Sequence, residues 1–91
     1  MVRGEGGIDT DAVEQQAVAF FDIDVEALRT RGRRKQLVAA RSLAIYWAVR
    51  ELGMAGAALA KRYRLTQPAI VYAVERGEKI AKENGYRLQV Q

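Results

Sequence analysis

The stretch Gly56-Ala-Ala-Leu-Ala-Lys-Arg-Tyr-Arg-Leu-Thr-Gln-Pro-Ala-Ile-Val-Tyr-Ala-Val74 reads as two helices joined by the tight connector Arg64-Leu65-Thr66. Two helices that cross steeply over so short a turn need a small residue where the backbones approach, an apolar residue in the turn, and branched apolar residues inside the second helix. Ala60, Leu65, Ile70 and Val74 meet those requirements. Thr66 can cap the second helix, and Pro68 falls in its first turn, where the missing amide of proline costs nothing. The exposed first turn, Thr66-Gln67-Pro68-Ala69, has the form a major groove receives. One position strains the pattern. The turn usually holds glycine because its backbone sits at positive φ, and Arg64 in that place implies a strain of ~1–2 kcal/mol. Either the turn departs locally, or the strain is retained for a phosphate contact by Arg64. The competing reading is an αα-hairpin that packs and never meets DNA.

Outward from this segment, Ile70, Ala73, Val74, Gly77 and Ala81 recur at helical spacing to about Asn84, and Gly85 is the stop. Upstream, residues 35–52 form a long helix that is apolar on nearly every side, so it is expected to be the central post, with Ile45 and Trp47 in the core. Gly53 ends it, and residues 55–63 make the compact first helix of the pair. At the other end, Asp9 can accept from the amides of a first helix and Ile8 can staple onto Val13, with Val13, Ala17, Phe20 and Phe21 as the buried stripe. Asp24 can cap a short helix from Val25 to Arg29, with Val25 and Leu28 facing inward. The fold class is therefore all-α, a compact bundle of about five helices. Residues 1–7 read as a glycine-rich tail, 8–85 as one helical DNA-binding domain, and 86–91 as a second tail that alternates weakly, since one isolated run cannot make a sheet.

Length and composition agree with this. Ninety-one residues, 49% hydrophobic, with one proline and seven aromatics suffice for a single domain with one modest core. Cysteine and histidine are both absent, which removes disulfides, the commonest metal ligands and the commonest general base, so neither cofactor, metal nor catalysis is expected. No signal peptide or membrane-spanning run is legible, and the expected location is cytoplasmic. Charge is divided unevenly. Residues 1–28 hold seven acids and one base, and residues 29–91 hold fourteen bases and four acids. A basic body is the electrostatic footprint of a polyanion binder.

Side-chain chemistry then assigns roles. Gln67 can pair bidentately with adenine, Thr66 can hold a phosphate or a base edge, Pro68, Ala69 and Val71 can meet thymine methyls, and Tyr72 can reach sugar or phosphate. Lys61 and Arg62 lie on the helix that crosses the backbone and suit phosphate contacts. The densest basic run, with Arg31, Arg33, Arg34 and Lys35 around Gly32, can enter an adjacent minor groove, or it is a solvated linker. The alternative functional readings are a free-standing transcriptional regulator and a protein-interaction module without DNA binding, in which the acids Asp11, Glu14, Asp22 and Asp24 dock a basic partner or a second copy of the chain.

In layout, the chain from Ile8 to Asn84 resembles the C-terminal DNA-binding domain of bacterial replication initiators of the DnaA type, a Trp-repressor-like helical fold. Val18-Ala-Phe-Phe-Asp-Ile23 looks like that domain's first helix, Arg31 to Lys35 like its basic loop, and Ala40-Arg41-Ser-Leu-Ala-Ile-Tyr46 like its central helix. The resemblance implies a basic loop in the minor groove and a recognition helix in the major groove. That helix begins with an Asp-His-Thr-Thr-Val type signature in the initiators and with Thr66-Gln-Pro-Ala-Ile-Val71 here, so recognition of the origin box is not carried over. The hairpin, Ala60-Lys-Arg-Tyr-Arg-Leu-Thr-Gln-Pro-Ala-Ile-Val71 with Ala73-Val-Glu-Arg-Gly-Glu-Lys79, is similar to the C-terminal domain of REP-associated and related single-strand transposases. That similarity implies duplex DNA and a transposase catalytic domain as partners.

Overall fold

In a computed structural model, residues 9–30, 32 and 34–89 are described. Ile8, Arg31 and Arg33, to which the sequence assigns a staple and two DNA contacts, lie outside the described residues, as do 1–7, 90 and 91. The described chain is all-helical, with α1 (Thr10–Ala19), α2 (Lys35–Arg50), α3 (Gly56–Tyr63) and α4 (Gln67–Asn84). The fifth expected helix, Val25–Arg29, is a single 3-10 segment instead. Five residues leave room for little i→i+4 bonding, and Asp24 makes no side-chain cap, so the backbone closes tighter bonds from Ala27 N to Asp24 O and from Thr30 N to Ala27 O. No helix among the described residues is long and apolar enough to cross a membrane.

Local chemistry accounts for most boundaries. The Asp9 carboxylate accepts from Ala12 N at 2.9 Å and starts α1, and the Thr66 hydroxyl accepts from Ala69 N at 3.2 Å and starts α4. Gly53 and Gly85 both sit at φ +69°, the left-handed geometry that ends each helix while the amides of Gly53 and Tyr86 reach back to the carbonyls of Val49 and Ala81. Helix α2 is the post of the bundle, with Leu43, Ala44, Ile45 and Ala48 wholly buried and Trp47 nearly so. Helix α4 lies along it. At their crossing a Cβ on Gly77 would stand 2.2 Å from Ser42 O and 2.5 Å from Tyr46 Cβ, so the backbones touch only because that side chain is missing.

The N-terminal stripe is narrower than its pattern suggests. Val13 and Ala17 are fully buried, but α1 ends at Ala19, which leaves Phe20 and Phe21 on the turn that follows. Phe20 is 42% exposed and is covered from outside by Tyr86, whose ring stacks on it at 4.0 Å, with Trp47 tilted behind it at 6.2 Å. The chain after Gly85 thus lies against α1. The Gln16 side-chain amide clasps the Gln89 backbone there, donating to its carbonyl at 2.8 Å and accepting from its amide at 2.7 Å.

Candidate nucleic-acid interface

Helix α3 ends at Arg64, which adopts φ 58°, ψ 45°. Of the two readings left open by the sequence, this is the strained turn and not a local departure, and arginine accepts the left-handed conformation despite its Cβ. The turn closes with Leu65 N donating to Ala60 O at 2.9 Å. Behind it, Leu59 and Ile70 are buried and Leu65 and Val74 half-buried, so the connector is anchored from within. The outward face of the start of α4 is open: Thr66, Gln67 and Pro68 are exposed, Ala69 is half-buried, and Val71 and Tyr72 are 59% and 69% exposed.

Two shallow grooves run beside this tip. One, of about 370 Å³, lies between Val38 and Arg41 of α2 and Leu65, Ala69, Tyr72 and Arg76. The other, of about 390 Å³, lies between Arg76 and the Lys35, Val38 and Ala39 side of α2. Sharing Val38 and Arg76, they join the exposed start of α4 to the start of α2, where Arg34 and Lys35 are also exposed. Lys61 and Arg64 are exposed as well.

Arg62 is placed differently from its expected role. Its Nε donates to Glu14 Oε2 at 2.9 Å, and its Nη2 donates to Glu14 Oε1 and to Asp11 Oδ1, each at 3.0 Å. A phosphate would have to displace two carboxylates, so Arg62 anchors α3 to α1 and is not a free cation for DNA. The same contacts remove Glu14 from the acidic docking face. That carboxylate is fully buried and also accepts from the Tyr63 hydroxyl and from Arg29 Nη2. Asp11 keeps its exposure but is salt-bridged, which leaves Asp22 and Asp24 as the exposed acids of the set without a side-chain partner among the described residues.

The electrostatics follow from this burial. Desolvation pushes the Glu14 carboxyl up, but the hydrogen bonds from Arg62 and Tyr63 and the charges of Arg62 and Arg29 outweigh it, and the net shift is downward. The Tyr63 hydroxyl is driven up, by burial first and by Glu14 second. The bond to Glu14 holds the Arg62 guanidinium firmly protonated. Burial pulls the Arg41 guanidinium down from its ordinary value.

Over 77 residues the chain is 29% identical to the chromosomal replication initiator protein DnaA of Oleidesulfovibrio alaskensis. That match covers 85% of this chain and 17% of the initiator, so the chain spans less than a fifth of that protein's length. No family model matches. The likeness to a DnaA-type initiator read from layout is therefore also present as residue identity, whereas the likeness to transposase-associated domains stays with the hairpin residues that suggested it.

Two residues that line the grooves beside the tip of α4 escape the sequence reading. Arg76 stands four residues after Tyr72 on α4, one turn along the same face, and lines both grooves; that spacing was the available signal. Arg41 is the one charged residue inside the apolar run of α2 between Lys35 and Arg50, and a buried arginine in such a run signals a specific set of acceptors.

Proposed function

We propose that this chain binds duplex DNA without catalysing a reaction, using α3, the turn and α4 as a helix-turn-helix of the DnaA type. The first turns of α4 enter the major groove, with Gln67 reading a base edge, Pro68, Ala69 and Val71 against thymine methyls, and Thr66 and Tyr72 on base, sugar or phosphate. Lys61, Arg64 and Arg76 meet phosphates, and the basic stretch of Arg31, Arg33, Arg34 and Lys35 meets the neighbouring backbone or minor groove.

The observation that carries this reading is the capped start of α4, which presents exposed Gln67, Val71 and Tyr72 across a groove from the exposed cations at the start of α2. The match to a replication initiator supports it. The internal use of Glu14 and Asp11 weighs against the alternative of an acidic protein-docking helix. Attachment to a transposase catalytic domain is the finer form of the proposal and rests on the hairpin sequence alone.

Random-oligonucleotide selection at moderate salt, followed by anisotropy titrations of the full chain on the selected duplex, tests the proposal. Affinity should fall with a log–log salt slope of about −0.9 per phosphate contacted. Gln67→Ala should flatten the preference at one base pair, while Arg34→Ala weakens all duplexes alike. A stable oligomer by sedimentation, with no duplex bound at low salt, would instead favour the protein-interaction reading.

A further inference from the structure

The outward side of α4 carries one acid in the stretch that would face DNA. Between Gln67 and Gly77, Glu75 is the single carboxylate, and Arg76 and Lys79 follow it. Helix α4 turns Ile70, Ala73, Gly77 and Ala81 inward, so Pro68, Val71, Tyr72 and Glu75, spaced i, i+3, i+4 and i+7, form one outward ridge, and each of them is exposed. A helix lying in a major groove reads base edges with that same spacing. An acid on a solvated helix face ordinarily pairs with a base one turn along. Glu78 does so, meeting Lys82 at 3.1 Å and Arg50 at 3.5 Å. Glu75 has Lys79 at the same spacing and in the same order, yet among the described residues neither makes an ion pair. An open carboxylate on this ridge adds a like charge to a face that must meet a polyanion, and it is tolerated there only where it finds a donor.

We propose that Glu75 is a specificity-determining residue whose carboxylate accepts from the N4 amino group of cytosine in the major groove, so that the duplex this chain selects carries a C·G pair under the third turn of α4. The inference rests on the duplex-binding reading above. Cytosine is the base whose major-groove edge offers a donor and no acceptor. Guanine offers two acceptors, thymine an acceptor and a methyl, and adenine sets the acceptor N7 beside its amino group. A desolvated carboxylate against any of those acceptors is left unpaired or repelled, which widens the discrimination beyond what the one hydrogen bond gives. Glu75 stands eight residues past Gln67, about 12 Å along the helix axis, so its base pair lies within about four steps of the one that Gln67 reads.

The test titrates the full chain, Glu75→Ala, Glu75→Gln and, as a reference, Gln67→Ala by anisotropy on the selected duplex and on its single-pair variants. The parent should favour C·G by roughly ten- to a hundredfold at one pair within about four steps of the pair that Gln67→Ala affects. Glu75→Ala should remove that preference and bind an unrelated duplex about threefold more tightly, since the like charge is gone. Glu75→Gln should move the preference at the same pair from cytosine to adenine, because an amide both accepts from N6 and donates to N7. A side chain that only supports the fold, or only adds charge, would not exchange one base for another. Urea midpoints of both variants should match that of the parent, because the side chain is exposed and makes no ion pair among the described residues. A parent without a C·G preference in that window, or equal tightening on every duplex with base preference unchanged, overturns the cytosine contact and leaves the duplex-binding reading standing. Failure of the parent to bind any duplex at low salt ends both.

Discussion

Where α4 crosses α2, the helices meet through the missing side chain of Gly77, whereas α3 meets α1 through the buried, ion-paired carboxylate of Glu14. The first joint is steric. It depends on backbone approach and van der Waals contact, with one half-exposed ion pair, Arg50 to Glu78 at 3.5 Å, beside it. The second is electrostatic: a fully buried acid collects Arg62, Tyr63 and Arg29 from two other elements. Both joints fix the same hairpin, α4 by shape and α3 by charge. The contrast teaches that α4 is locked mainly by close packing, to which a half-exposed surface ion pair adds little, while α3 is held by a buried network whose strength depends on protonation.

The steric joint should break hardest. Gly77→Val would drive a branched side chain into the Ser42 backbone, which cannot move aside as a side-chain tip can; the expected loss is more than about 3 kcal/mol in urea unfolding. Next comes Glu14→Gln. Removing a buried partner from its ion pairs costs about 2–3 kcal/mol here, below the range for fully buried pairs, because Arg62 and Arg29 are 27% and 42% exposed and can rehydrate.

The pH dependence sharpens the contrast. The native carboxyl of Glu14 titrates below its ordinary range, so its contribution is complete above the unfolded-state value and disappears as pH falls through the depressed native one. Urea midpoints measured along the acid limb should therefore fall less steeply for Glu14→Gln than for the parent. Tyr63 has the opposite sign. Its native hydroxyl titrates above the ordinary value, so the stability it supplies is lost as pH rises beyond the unfolded-state tyrosine range, and Tyr63→Phe should flatten that alkaline loss.

The connector between α3 and α4 gives the smaller effects. Thr66→Ala removes the cap on α4 and should lower stability by about 1 kcal/mol, read as a shift in urea midpoint. Arg64→Gly relieves a left-handed backbone and should raise stability by about 0.5–1 kcal/mol after the greater freedom of unfolded glycine is counted. If Arg64 meets a phosphate, the same substitution weakens duplex binding while stabilising the fold, and the two readouts part company.

Much of the architecture was legible because it is local. The cap at Asp9, the proline-containing first turn of α4, the positive φ at Arg64 and the stop at Gly85 all act within a turn of themselves, and the apolar run of α2 has no other place than the core. Misreadings arose where a local pattern met a distant competitor. Phe20 looks like core by spacing, but it lies past the end of α1, where Tyr86 caps it from outside. The segment from Val25 to Arg29 has helical composition but too few residues to close an α-helical ladder.

By itself, the sequence determined an all-helical chain, the ends of its last two helices and the tight turn between them, since these follow from backbone and capping chemistry over three or four residues. Only the tertiary structure decided which charges are available. Arg62 and Glu14 are 48 positions apart, and Arg41 is 13 positions from Leu28, whose carbonyl accepts from it. A buried ion chooses its partners by where folding leaves it out of water, and no spacing along the chain records that choice.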